Sequence, residues 1–150
     1  MMKHTGNGHI FTEIVLEVFK LSGLLTAEGD KITETNGLSS ARWKILGALA
    51  RSTAPLTVSQ IARVMGQTRQ AVQSLVNIMN KGDLLDFIDN PAHKRAKLVC
   101  FTTKGQQIYA KLQAKQIPWA NQQSGHIDET ELQATLAILK KISQVLSYSD

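Results

Sequence analysis

The sequence predicts a mainly α-helical fold with one small β-hairpin, in which a central helix-turn-helix is flanked by long helices from both chain ends. Three observations predict it. Apolar residues recur at three- and four-residue spacing over both terminal thirds of the chain. Two short helical segments meet at Gly66, each opened by a capping threonine, Thr57 and Thr68. Two alternating segments, 84–88 and 96–101, enclose an Asn90-Pro91 turn.

The elements follow in order. Ile10, Ile14, Val18, Leu21 and Leu25 place a helix over about 10–33, and Phe11, Val15 and Phe19 widen its apolar stripe beyond what one neighbour can cover. Asn36-Gly37 ends it. Ser39 or Ser40 caps a second helix carrying Trp43, Ile45, Leu46 and Leu49, followed by a loop over 52–55. Thr57-Val58-Ser59-Gln60 is a capping box that opens a short helix through Ile61, Ala62 and Val64, closed by Gly66. Thr68 caps the next helix, 69–81, which Gly82 is expected to stop in the same left-handed way. The hairpin then forms a wing. Thr102 or Thr103 begins a long helix over 104–123, with a kink expected at Pro118. A second capping box, Asp128 to Glu131, leads into Leu132, Leu136, Leu139, Ile142 and Leu146.

At 150 residues, 43% hydrophobic and 19% charged, the chain is expected to be a globular domain with a real core. It has no run of about 18 apolar residues, so no membrane span is expected. The stretch MMKHTGNGHIF lacks the apolar run of a secretory signal, and the single cysteine, Cys100, cannot form an internal disulfide. Both features are expected of a cytoplasmic protein.

The location of the charge says more than the net +5. Residues 36–104 hold ten Lys and Arg against three Asp and Glu, a local +7, and no carboxylate occurs between positions 36 and 82. A general solvated surface mixes signs; this segment is suited to a polyanion. The helix 69–81 sets Ala71, Val72, Leu75, Val76, Ile78 and Met79 on one side. The other presents Arg69, Gln70, Gln73, Ser74, Asn77 and Lys81, close to the inventory that reads base edges in the major groove. An ordinary solvated helix is rich in Glu paired with Lys, and this face has none. In the turn, Arg95 suits insertion into a minor groove, with Lys94, Lys97 and His93 on phosphates. A double-stranded DNA interface is therefore expected from Thr68, the exposed face of 69–81 and the wing.

TVSQIARVMGQTRQAVQSLVNIMNKGDLL followed by NPAHKRAKLVCFTTKG resembles the winged helix-turn-helix of the MarR family of bacterial transcription regulators. The family's wing signature, Asp-Pro-x-Asp-Arg/Lys-Arg then Leu-Thr-x-x-Gly, is met in order by Asn90-Pro91-Ala92-His93-Lys94-Arg95 and Phe101-Thr102-Thr103-Lys104-Gly105. The family's minor-groove arginine falls on Arg95. His93 stands where the family has a carboxylate that braces an arginine, so the resemblance leaves the bracing of Arg69 or Arg95 to other groups.

The resemblance implies a winged helix-turn-helix DNA-binding domain over 36–103 and a helical dimerisation domain from 1–35 and 104–150. It further implies a homodimer on an inverted-repeat operator, acting as a repressor released by a small aromatic or amphipathic effector. The apolar stripes at both chain ends independently favour a second copy.

Enzyme chemistry is not expected. His4, His9, His93 and His126 are scattered without metal-ligand spacing, no cofactor motif occurs, and no catalytic constellation is present. Cys100 is expected as a small core residue rather than a redox switch, and Trp43 as a core residue rather than an effector contact. The rival reading is a winged-helix module binding an acidic protein partner through the same basic face. Its weakness is the Gln, Asn and Arg inventory, which suits base edges.

Overall fold

The computed structural model describes residues 1–147. Helix α1 runs Gly6–Glu34, four residues earlier than the apolar pattern begins, because the Thr5 hydroxyl accepts from the Gly8 amide at 3.0 Å and caps it. It ends in a left-handed Gly37 (φ +66), whose amide donates to the Glu34 carbonyl while Leu38 donates to that of Thr33. Helix α2, Ser40–Ala50, is capped by Ser39 as expected. The sequence did not show the tie between these helices. Asp30 Oδ1 accepts from the Ser40 amide at 2.7 Å, a carboxylate on the positive end of α2. The helices approach so closely there that a Cβ on Gly29 would lie 2.7 Å from the Ser40 Cβ.

Strand β1, Leu56–Thr57, was not anticipated; two residues are too few to show alternation. Helix α3, Val58–Met65, follows at once, with both halves of the Thr57–Gln60 capping box formed. Gly66 closes it with φ +63, its amide on the Arg63 carbonyl and the Gln67 amide on that of Ala62. Helix α4, Arg69–Lys81, is capped by Thr68.

The stop of α4 differs from expectation. Gly82 has φ −81, an ordinary backbone, and the left-handed residue is Asp83 at φ +60. The helix ends at Lys81 as expected, but the left-handed turn falls one residue later than the glycine suggested. The Asp83 amide then reaches the Asn80 carbonyl, and the Leu84 amide that of Met79.

Strands β2, Leu85–Ile88, and β3, Leu98–Phe101, pair antiparallel, Leu85 opposite Phe101 and Phe87 opposite Val99. Strand β1 joins the far side of β3, giving the order β1-β3-β2. Alternation along β3 sends Val99 into the core and leaves Cys100 half-buried, so Cys100 is not the core residue expected. Its Sγ lies 3.7 Å from the Asp86 carbonyl oxygen.

The core joins Ile45 and Leu46 of α2, Ile61 of α3, Val72, Val76 and Met79 of α4, Leu85, Val99 and Leu112. Trp43 packs against it as expected, as do Phe101 and Tyr109, whose rings are 5.9 Å apart. Ile78 and Ala71, counted with the apolar side of α4, are exposed.

Helix α5, Thr103–Ser124, continues through Pro118, which leaves the Ala114 carbonyl without its helical donor but does not end the helix. Helix α6, Glu129–Ser147, opens with Asp128 Oδ2 accepting from the Thr130 and Glu131 amides. By contacts the chain forms two compact units, one to Ala114 and one from Lys115 onward. In the first, α1 exposes Ile10, Leu16, Phe19, Leu24 and Leu25. In the second, α6 exposes Leu132, Leu136, Leu139, Val145 and Leu146. The last three positions of the expected range 104–150 lie outside the described residues. Among those described, no helix is long and apolar enough to cross a membrane, and no group of His, Cys, Asp or Glu could hold a metal ion.

Candidate nucleic-acid interface

Helix α4 presents its polar face because its apolar residues are committed elsewhere: Val72, Val76 and Met79 are buried, so the side chains between them point outward. The wing stands beside that face. Together they enclose a concavity of about 350 Å³ lined by Arg69, Gln73 and Asn77 from α4 and by Arg95 and Lys97 from the wing. Thr57, Val58 and Ser59 at the start of α3 complete the wall, with Phe87 and Ala96. No carboxylate lines it. Among the described residues, no carboxylate comes within ion-pair distance of Arg69, Lys94, Arg95 or Lys97. These cations keep their charge available to an outside anion.

The expected residues separate into groups. Arg69, Gln73, Asn77, Arg95 and Lys97 share the concavity, and Arg69 and Gln73 with Gln70 and Ser74 line a shallow depression beside it. Lys81 and Lys94 are exposed but line neither. The Thr68 hydroxyl accepts from the Ala71 amide at 3.2 Å, so its oxygen serves the helix cap. His93 also has a local partner. Its Nδ1 accepts from the Arg95 amide at 3.3 Å and the Ala96 amide at 3.1 Å, folding the wing tip and leaving Nε2 to face outward contacts. Asn90 holds the same turn, its Oδ1 accepting from the Ala92 amide and its Nδ2 donating to the Ala96 carbonyl.

Sequence reasoning missed Thr57, Val58 and Ser59. The signal was present, since a capping box marks a helix start, where free amides and the helix dipole favour anions. It was used only to place α3.

A helix-turn-helix whose second helix lies beside a β-hairpin tip, over a three-stranded sheet, defines a winged helix-turn-helix protein. Residues 36–96 match the model of the MarR family. An uncharacterized protein of Mycobacterium tuberculosis is 33% identical over 129 residues, covering 86% of this chain and 89% of that protein. The transcriptional activatory protein BadR of Rhodopseudomonas palustris is 25% identical over 132 residues, 86% of this chain and 75% of its own length. The crystal structure of CouR from Rhodococcus jostii RHA1 bound to p-coumaroyl-CoA superposes with a TM-score of 0.78 at 18% identity, covering 87% of this chain and 91% of CouR. This chain belongs to the MarR family of transcriptional regulators.

Proposed function

We propose that this regulator binds double-stranded DNA as a homodimer, each protomer laying α4 in a major groove and its wing tip on the adjacent minor groove. The observation that carries this is the shared, carboxylate-free concavity of Arg69, Gln73, Asn77, Arg95 and Lys97. Arginine and amide side chains are the groups that pair with base edges, and unpaired cations beside them supply the phosphate attraction. Lys81, Lys94, Gln70 and Ser74 extend the footprint along the strand, and Thr68 acts by holding the start of α4. Two-fold symmetry makes the operator an inverted repeat with half-sites about one helical turn apart.

A small aromatic or amphipathic effector would release the DNA by preferring a dimer in which the two α4 helices no longer fit successive grooves. The ligand bound to CouR is of that chemical class. Repression follows when the operator overlaps a promoter. Activation, the role in the name of the relative BadR, would follow from an operator placed where the bound dimer aids rather than blocks transcription.

The experiment is selection of bound duplexes from a random pool, repeated with Arg95→Ala. An inverted repeat should emerge, and Arg95→Ala should weaken binding to it by roughly 1–3 kcal/mol with the fold intact. Unchanged affinity in the variant would remove the wing from the interface.

A further inference from the structure

The Gln73 and Asn77 side chains are coupled to each other before any partner arrives. They lie one turn apart on α4, and Gln73 Nε2 donates to Asn77 Oδ1 at 3.0 Å. Gln73 is half-buried, Asn77 is exposed, and both line the concavity. A carboxamide has two N–H donors and a carbonyl oxygen. After this bond Gln73 keeps one donor and its whole acceptor, while Asn77 has its oxygen turned to Gln73 and presents its two donors.

The major-groove edge of adenine shows an acceptor at N7 and a donor at N6. One amide satisfies both only if it offers a donor and an acceptor side by side. Gln73 still does; Asn77, with its oxygen directed along the helix, does not. The Gln73 stem has three rotatable bonds, and ordering such a side chain on binding normally costs affinity. The bond to Asn77 removes part of that cost in advance.

We propose that Gln73 and Asn77 form a single reading unit, in which Gln73 contacts one adenine per half-site and Asn77 is a positioning residue that sets the Gln73 amide. This rests on the DNA-binding reading of α4 and goes beyond it by naming the base and dividing the labour. It also excludes the simpler picture, in which each amide reads a base of its own.

Duplex selection with wild type, Gln73→Ala, Asn77→Ala and the double variant tests it. Both single variants should lose discrimination for adenine at the same base pair, by roughly 5- to 150-fold. The double variant should discriminate no worse than Gln73→Ala. Asn77→Asp keeps the accepting oxygen, so it should retain the adenine preference at lower affinity overall. In the free protein, the Gln73 side-chain amide resonances should shift and exchange faster with water in Asn77→Ala.

Single variants that relax different base pairs with additive effects would overturn the proposal, as would unmoved Gln73 resonances. Guanine selected at that position would overturn it too, because it would mean the pair is reversed, with Asn77 donating and Gln73 offering donors alone. A wild-type protein that selects no sequence would defeat the DNA-binding reading itself, and that is seen before any variant is compared.

Discussion

Gly105 sits directly under the carbonyl group of Leu84, so close that a Cβ on Gly105 would overlap the Leu84 oxygen. The glycine of the wing signature is therefore a packing requirement. Around it, Thr102 Oγ1 donates to the Asp83 carbonyl at 2.6 Å and accepts from the Gly105 amide at 2.9 Å. Lys104 Nζ donates to the Gly82 carbonyl at 3.1 Å. This stretch pins the start of α5 to the end of α4, and so helps to fix how the polar face of α4 is presented.

Gly105→Ala should cost roughly 1–3 kcal/mol or more, because the opposing atoms are backbone and cannot rotate away. A thermal melt reads it as a loss of roughly 2–4 °C per kcal/mol. An unshifted melt would mean the Leu84 carbonyl can move aside at little cost.

Gly82 and Asp83 should respond oppositely to exchange. Gly82 has an ordinary φ, and a Cβ added there would meet only the Ile78 and Met79 carbonyls, at 3.5 and 3.7 Å, so Gly82→Ala should be tolerated. Asp83 bears the left-handed conformation, which costs an L-residue roughly 1 kcal/mol, so Asp83→Gly should leave stability equal or higher. Denaturant midpoints of the two variants decide between this and a glycine requirement at position 82.

That pair also shows how far the sequence could be read. Each expected helix is present, and Thr57, Thr68 and Ser39 all cap as their types demand, but α1 starts four residues before its apolar pattern because Thr5 caps it. The left-handed residue after α4 was misplaced by one position because Lys-Gly-Asp offers two residues that tolerate such a turn, and local propensity does not choose between them. Strand β1 was hidden because it exists only through pairing with β3, Leu56 opposite Val99 and Thr57 opposite Leu98, far along the chain. The polar side chains of α4 and the wing were legible from type and spacing alone. Their grouping was not: whether Arg69 shares a wall with Arg95 depends on the path of the wing, which only the fold supplies.

His93 should act through the shape of the wing tip. Its Nδ1 holds the Arg95 and Ala96 amides, and a carboxylate at this position can accept from the same two donors. His93→Asp should therefore keep operator affinity close to wild type, whereas His93→Lys adds a cation but removes the acceptor. If the turn is what matters, His93→Lys binds DNA more weakly despite its extra charge. Tighter binding by the lysine variant would show instead that position 93 works as a phosphate contact.

Cys100 should be a sluggish thiol. Burial, then the nearby Asp86 carboxylate, push its pKa above the ordinary cysteine value, only partly opposed by its hydrogen bond to the Asp86 carbonyl. A raised pKa means less thiolate at neutral pH, so alkylation by iodoacetamide should be slower than for a free cysteine and accelerate only above the usual thiol range. Cys100→Ser should bind DNA as wild type does, before and after peroxide. Peroxide release of DNA from wild type but not from Cys100→Ser would contradict this.

The dimer carries the operator inference, and its test follows from exposed side chains. Phe19 is 72% exposed on α1 and Leu146 is 61% exposed on α6, each on a helix that exposes further large apolar residues. Each face by itself is a run of large apolar side chains of the kind that a soluble monomer rarely leaves uncovered. A second chain would cover them, and it would also bring two +7 segments onto one DNA-facing side, where phosphates offset their repulsion. Cutting the chain down to 36–105 is a poor test, because Leu112 lies in the core of the winged helix and its loss would open it. Point changes avoid this. Phe19→Glu and Leu136→Glu place a charge on each face, and each should shift sedimentation from dimer toward monomer and abolish tight operator binding. Binding to random duplex should be affected less, because each α4 and wing remain intact. A wild-type protein that sediments as a folded monomer at micromolar concentration would rule out the interface and the inverted-repeat operator with it.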